Sequence, residues 1–157
     1  MVKGYYRKRS DFSKYWWVNA TLPGKDSAEI NLSVANNYKS YGPLKASVWF
    51  LYRNKIANRK DLSSRDKLIA WAIAERYRGQ SFSTWDSFTY LGAMIGMNRK
   101  TVAKGIKSLM ENNVIWIVLE GEEKVGLTKL VSKRQKKHII LCGLNFILAE
   151  EIRKKNE

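Results

Sequence analysis

From Pro43 onward, apolar residues recur at three- and four-residue spacing, the period of a half-buried helix. Leu44, Val48, Leu51, Tyr52 and Ile56 form the first such stripe. Pro43 suits a first helical position, because the N–H it lacks would have no partner there. A second stripe, Leu68, Ile69, Ala72, Ile73 and Tyr77, predicts a helix capped by Ser63 or Ser64 and ending near Gly79. Residues 80–86 lose the period and read as extended. A short helix then runs from Ser87 or Phe88 to Ile95. Gly96 closes it, since glycine takes the left-handed conformation of a helix end without steric cost.

Asn98 caps a fourth predicted helix that runs to about Asn112. At 100° per residue Val102, Ile106 and Leu109 share one face, while Lys100, Lys104, Lys107 and Glu111 take the other. Gly105 costs this helix about 1 kcal/mol against alanine, so packing has to hold it in place. Val114–Leu119 (VIWIVL) is β-branched and aromatic, hence a strand, and His138–Cys142 (HIILC) is its expected partner. Gly143 breaks that strand, and Leu144, Ile147, Leu148 and Ile152 mark an amphipathic terminal helix. Upstream, residues 21–43 are rich in Asn, Ser and Gly and hold both prolines, Pro23 and Pro43. They predict loops with a short strand at Ile30–Val34. Three segments follow: a basic, aromatic N-terminal segment over 1–42, a domain over 43–143, and a C-terminal helix over 144–157.

Charge changes the picture. In 157 residues, 29 Lys and Arg stand against 14 Asp and Glu, a net charge of +15. A surface that positive repels itself and calls for a polyanionic partner. Residues 1–20 carry five basic residues and one acidic residue among Tyr5, Tyr6, Tyr15, Trp16 and Trp17. Residues 120–137, between the two strands, hold six basic and three acidic residues, a long connection for a hairpin. One cysteine, Cys142, excludes an intrachain disulfide and fits a reducing, cytoplasmic setting. One histidine, His138, excludes two-His metal centres. Apolar runs such as Val114–Leu119 are far short of a membrane span, and the basic opening MVKGYYRKRS lacks the apolar stretch of a secretory signal.

Helix, extended piece, short helix, tight turn, basic helix and hairpin, in that order, make up a winged helix-turn-helix. The expected fold class is therefore mainly α with a small β-hairpin: a three-helix core plus wing, an extra helix before it and a short helix after it. Leu91 and Ile95 would pack on Val102 and Ile106, with Gly96 making the turn and Met97 filling the angle between the helices. The stretch YLGAMIGMNRKTVAKGIKSLMENNVI resembles the helix-turn-helix domain common among phage and plasmid replication proteins, and the wider family of winged-helix regulators. The matching positions are Leu91, Gly92 (where alanine is more usual), Gly96, Asn98, Arg99, Lys100, Thr101, Val102, Lys104, Ile106 and Leu109. The first helix, LSSRDKLIAWAIAERY, also resembles its counterpart there. The likeness spans about residues 62–142 and leaves 1–42 uncovered. It implies a plasmid- or phage-borne protein acting at a replication origin or a promoter.

Double-stranded DNA is the expected partner, with a homodimer or a replication or transcription protein as further partners. Asn98, Arg99, Lys100, Thr101 and Lys104 are the candidates for reading base edges from the start of the recognition helix. Lys107, the wing residues Lys124, Lys129, Lys133, Arg134, Lys136 and Lys137, and the N-terminal arm are the candidates for phosphate contacts. Two other readings stay open. One is a winged-helix protein-interaction module; the other is a single-stranded DNA or RNA binder stacking bases on the N-terminal aromatics. Enzyme signals are poor: no Gly-rich phosphate loop exists, and Glu122-Glu123-Lys124 with Asp86 is only a partial nuclease pattern. No catalytic residue, metal or cofactor is expected, and His138 and Cys142 are expected to pack.

Overall fold

The first apolar stripe folds as α1 (Tyr41–Leu51), which runs directly into a π-helical turn, Tyr52–Ile56. In the computed structural model residue 17 and residues 41–78, 81–119 and 136–155 are described. The expected strand at Ile30–Val34, the aromatics Tyr5, Tyr6, Tyr15 and Trp16, and most of the wing lie outside these residues. Pro43 falls in the first turn of α1, where its missing N–H breaks no helical hydrogen bond. Val48, Leu51 and Ile56 are buried, as their spacing requires.

Helix α2 (Ser64–Glu75) is capped by Ser63, whose side chain accepts from the Asp66 N–H at 3.1 Å. It ends at Glu75, short of the expected stop near Gly79. The chain leaves the helix there because Arg78 pairs with Ser83 across a turn, and the Tyr77 hydroxyl accepts from the Leu141 N–H at 3.3 Å. The buried face also differs from the expected stripe. Leu68 is 45 % exposed, and Ala70 and Ala74 complete the face with Ile69, Ala72 and Ile73. The core lies on the side of Ile69 and Ile73, and Leu68 stands about 100° around the helix from Ile69, outside that face.

Residues 81–86 are only partly extended. Ser81 and Phe82 form a turn, with Phe82 at φ +50°, and Ser83 and Thr84 then pair with neighbouring chain. Phe82 is 1 % exposed, and burial of its ring offsets a backbone conformation that L-residues rarely adopt. Helix α3 (Phe88–Ile95) starts at Ser87, whose side chain accepts from the Tyr90 N–H at 3.1 Å, and ends at Gly96 with φ +71°. Helix α4 (Arg99–Glu111) starts at Asn98, whose side chain accepts from the Thr101 N–H at 2.9 Å. Val102, Ile106 and Leu109 are fully buried, each side chain contributing about 1.5–3 kcal/mol by leaving water.

Helices α2, α3 and α4 pack on one another, and α1 packs on α5 (Leu144–Lys155). Strand β1 (Ile115–Leu119) pairs antiparallel with β2 (Lys137–Leu141), Ile117 opposite Ile139. On its other edge β2 meets Thr84: the Thr84 N–H donates to the Ile139 carbonyl at 2.9 Å, and the Ile139 N–H donates back at 2.6 Å. The two-stranded sheet and the helices thus form a mainly helical fold with a small antiparallel sheet on the flank of the α2–α4 core. Among the described residues no helix is long and apolar enough to cross a membrane.

Candidate nucleic-acid interface

Helix α4 divides its residues sharply. Arg99, Lys100, Lys104 and Lys107 are exposed, Thr101 is half-buried, and Val102, Gly105, Ile106 and Leu109 face the core. Lys100, Lys104 and Lys107 fall at three- and four-residue spacing and line one outer face. Asn98 is exposed at the head of the helix. Its side-chain oxygen is committed to the cap, which leaves the amide nitrogen for other contacts.

The wing residues divide differently. Lys124, Lys129, Lys133 and Arg134 lie outside the described residues. Lys136, just before β2, and Lys137, its first residue, are brought against the aromatic rings of Trp85, before α3, and Phe88, at its start. The Lys136 ammonium lies 4.1 Å from the centroid of Trp85, and that of Lys137 lies 4.3 Å from the centroid of Phe88. Arg78 also covers Trp85, at 3.9 Å, and Arg76 lies 5.0 Å from the ring of Tyr90. Attraction of a cation to the face of a π-system is worth about 0.5–1 kcal/mol at exposed sites, so this layer of rings fixes where four positive charges sit.

Sequence reasoning passed over Arg76, Arg78, Trp85 and Tyr90 as parts of this surface. Trp85 and Tyr90 are 38 % and 48 % exposed, an exposure that no residue spacing in the sequence announces. Asp86, weighed above as a nuclease carboxylate, is taken up by two arginines: Arg76 Nε donates at 2.6 Å and Arg78 Nη2 at 3.2 Å. Burial pushes its pKa up, but the two guanidinium hydrogen bonds and their charges more than reverse this and hold it below its ordinary value. Glu122 and Glu123 lie outside the described residues.

Trp17, in the basic and aromatic N-terminal segment, is 1 % exposed. Its indole N–H donates to the Ser81 carbonyl at 2.6 Å, and its ring lies 4.7 Å from the ring of His138. It is a core residue and offers no face to a nucleobase. His138 is buried and its Nδ1 lies 2.6 Å from the Ser83 hydroxyl; Cys142 is buried in the turn after β2. Both pack, as expected. Among the described residues no group of three or more His, Cys, Asp or Glu side chains is placed to hold a metal ion.

Two basic groups result: Arg99, Lys100, Lys104 and Lys107 exposed on α4, and Arg76, Arg78, Lys136 and Lys137 on the rings of Trp85, Phe88 and Tyr90, with Arg99 and Lys137 lining one cleft between them. Comparison with family models, curated proteins and solved structures finds no match to this chain.

Proposed function

We propose that this chain is a non-enzymatic, sequence-specific duplex-DNA-binding protein of winged helix-turn-helix architecture. The observation that carries the reading is α4 itself. It begins at a capped, exposed turn, buries Val102, Ile106 and Leu109, and turns Lys100, Lys104 and Lys107 outward on a chain of net charge +15. An amphipathic helix so charged, held at a tight turn by α3, fits a major groove N-terminal end first. The pairing of Thr84 with one edge of β2 and of β1 with the other supports the winged arrangement. In this reading α4 supplies base contacts from its first turn, while Lys107 and the wing supply phosphate contacts. The site of action is a replication origin or a promoter in the cytoplasm of the host of a plasmid or phage.

Titration of a random duplex and of oligo-dT over a range of salt concentrations tests this. The expected result is tighter binding to duplex, with log affinity falling linearly in log salt. Duplex binding that is absent or insensitive to salt overturns the reading. Preference for oligo-dT would transfer it to a single-strand binder.

A further inference from the structure

A cleft of about 190 Å³ opens where the start of α4, the start of β2 and the segment before α3 meet. Its walls include Trp85, Asp86, Ser87, Phe88, Arg99 and Lys137. Two cations from elements 38 residues apart in the chain, Arg99 and Lys137, therefore face one small space. Neither has a carboxylate partner among the described residues, and the one acid in the wall, Asp86, has both oxygens bound by Arg76 and Arg78. Lys137 lies over the Phe88 ring, half-buried. Burial first, and then repulsion by Arg99, draws its pKa below the ordinary lysine value. Two like charges held together at a partly dry site destabilise each other unless an anion joins them.

We propose that Arg99 and Lys137 together grip one backbone phosphate of duplex DNA in this cleft. A phosphate presents oxygens in several directions, so the planar guanidinium and the point-charge ammonium can meet different oxygens of the same group. Arg76, Arg78, Arg99 and Lys137 oppose the single charge of Asp86, so the locality attracts an anion. Arg99 then serves to fix the register of α4 on the duplex, and base reading falls to Lys100, Thr101 and Lys104 further along the helix. This inference rests on the duplex-binding reading above and assigns Arg99 a different task from the base contact its position in sequence suggests.

The test compares wild type with Arg99→Gln, Lys137→Met and the double variant. Each is titrated against a random duplex and against a duplex selected by the wild-type protein from a random library. Lys137→Met keeps the stem on Phe88, so folding is retained, and Lys137→Arg is the charge-retaining control. The double variant is expected to weaken both duplexes by a similar factor and to lower the log–log salt slope by about 0.9, one phosphate's worth. A fall of about 1.8 would assign the two side chains to separate phosphates and overturn the shared grip. An unchanged slope overturns it as well, as does a loss by Arg99→Gln confined to the selected duplex. In all three cases the wild type still binds duplex and the broader reading stands. Wild type that fails to bind duplex overturns both.

Discussion

The Gly92 carbonyl accepts a hydrogen bond of 2.9 Å from the Met97 amide, and a Cβ on Gly92 would lie 2.3 Å from the Met97 carbonyl oxygen. The two backbones meet because the turn between α3 and α4 folds back on α3, with Gly96 in the left-handed conformation between them. Alanine, the residue more usual at this place in the helix-turn-helix sequences that this stretch resembles, does not fit here. The obstacle is backbone, which cannot rotate aside. Gly92→Ala is therefore expected to destabilise by about 1–3 kcal/mol, the range for overpacking. At Gly105 the obstacle is the end of a side chain, Ile69 Cδ1 at 2.1 Å, and the helix itself gains about 1 kcal/mol from alanine. Gly105→Ala should cost less than Gly92→Ala, and Ile69→Val should recover part of its cost. Urea denaturation midpoints decide the order; the reverse order would place the tighter contact between α2 and α4.

Val102→Asp or Ile106→Asp should unfold the domain rather than merely weaken the proposed DNA binding. Both side chains are at most 1 % exposed, and each substitution would bury a carboxylate without a partner. Thermal melts matching wild type would show that this face of α4 is not core.

On the duplex-binding reading proposed above, Lys100→Ala is expected to abolish preference for the selected duplex while leaving random duplex binding largely intact. Lys100 stands exposed in the first turn of α4, where loss of a base-edge contact costs about 1–3 kcal/mol of discrimination. Competition between selected and random duplex measures the ratio, and an unchanged ratio removes Lys100 from base reading.

Asp86 couples stability to acid. Its pKa is lowered in the folded protein, so its contribution is present above the ordinary value of 3.8 and is lost as pH falls through the lowered folded value. Asp86→Asn should cost about 1.5 kcal/mol at neutral pH, the low end for charged hydrogen bonds because both arginines remain about a third exposed. The gap between variant and wild type should close in strong acid. Equal stability at neutral pH would mean that the two ion pairs contribute nothing.

Trp17→Ala should destabilise by about 3–5 kcal/mol, the cost of deleting a buried aromatic ring. Trp17→Phe keeps most of the ring but leaves the Ser81 carbonyl without its indole donor, for a loss of about 1–3 kcal/mol. Denaturation of both variants at wild-type midpoints would detach the N-terminal segment from the core.

The α3–turn–α4 unit was legible in the sequence because everything that shapes it is local. Ser87 and Asn98 cap amides three residues on, Gly96 alone can take its left-handed turn without strain, and Val102, Ile106 and Leu109 repeat at helical spacing. Both strands followed from β-branched runs, within a residue at each end. What sequence spacing could not decide depends on contacts between distant parts of the chain. The stop of α2 at Glu75 answers to Tyr77 reaching Leu141, 64 positions on, and the exposure of Leu68 to which side of α2 the core occupies. Trp17 reads as one more aromatic in a basic segment until Ser81, His138 and Asn145 enclose it. Lys137 reads as one of six basic loop residues until β2 carries it to Phe88 and Arg99. Periodicity and caps report hydrogen bonds and burial over three or four residues; the tertiary structure alone sets which surfaces, and which charges, meet across the fold.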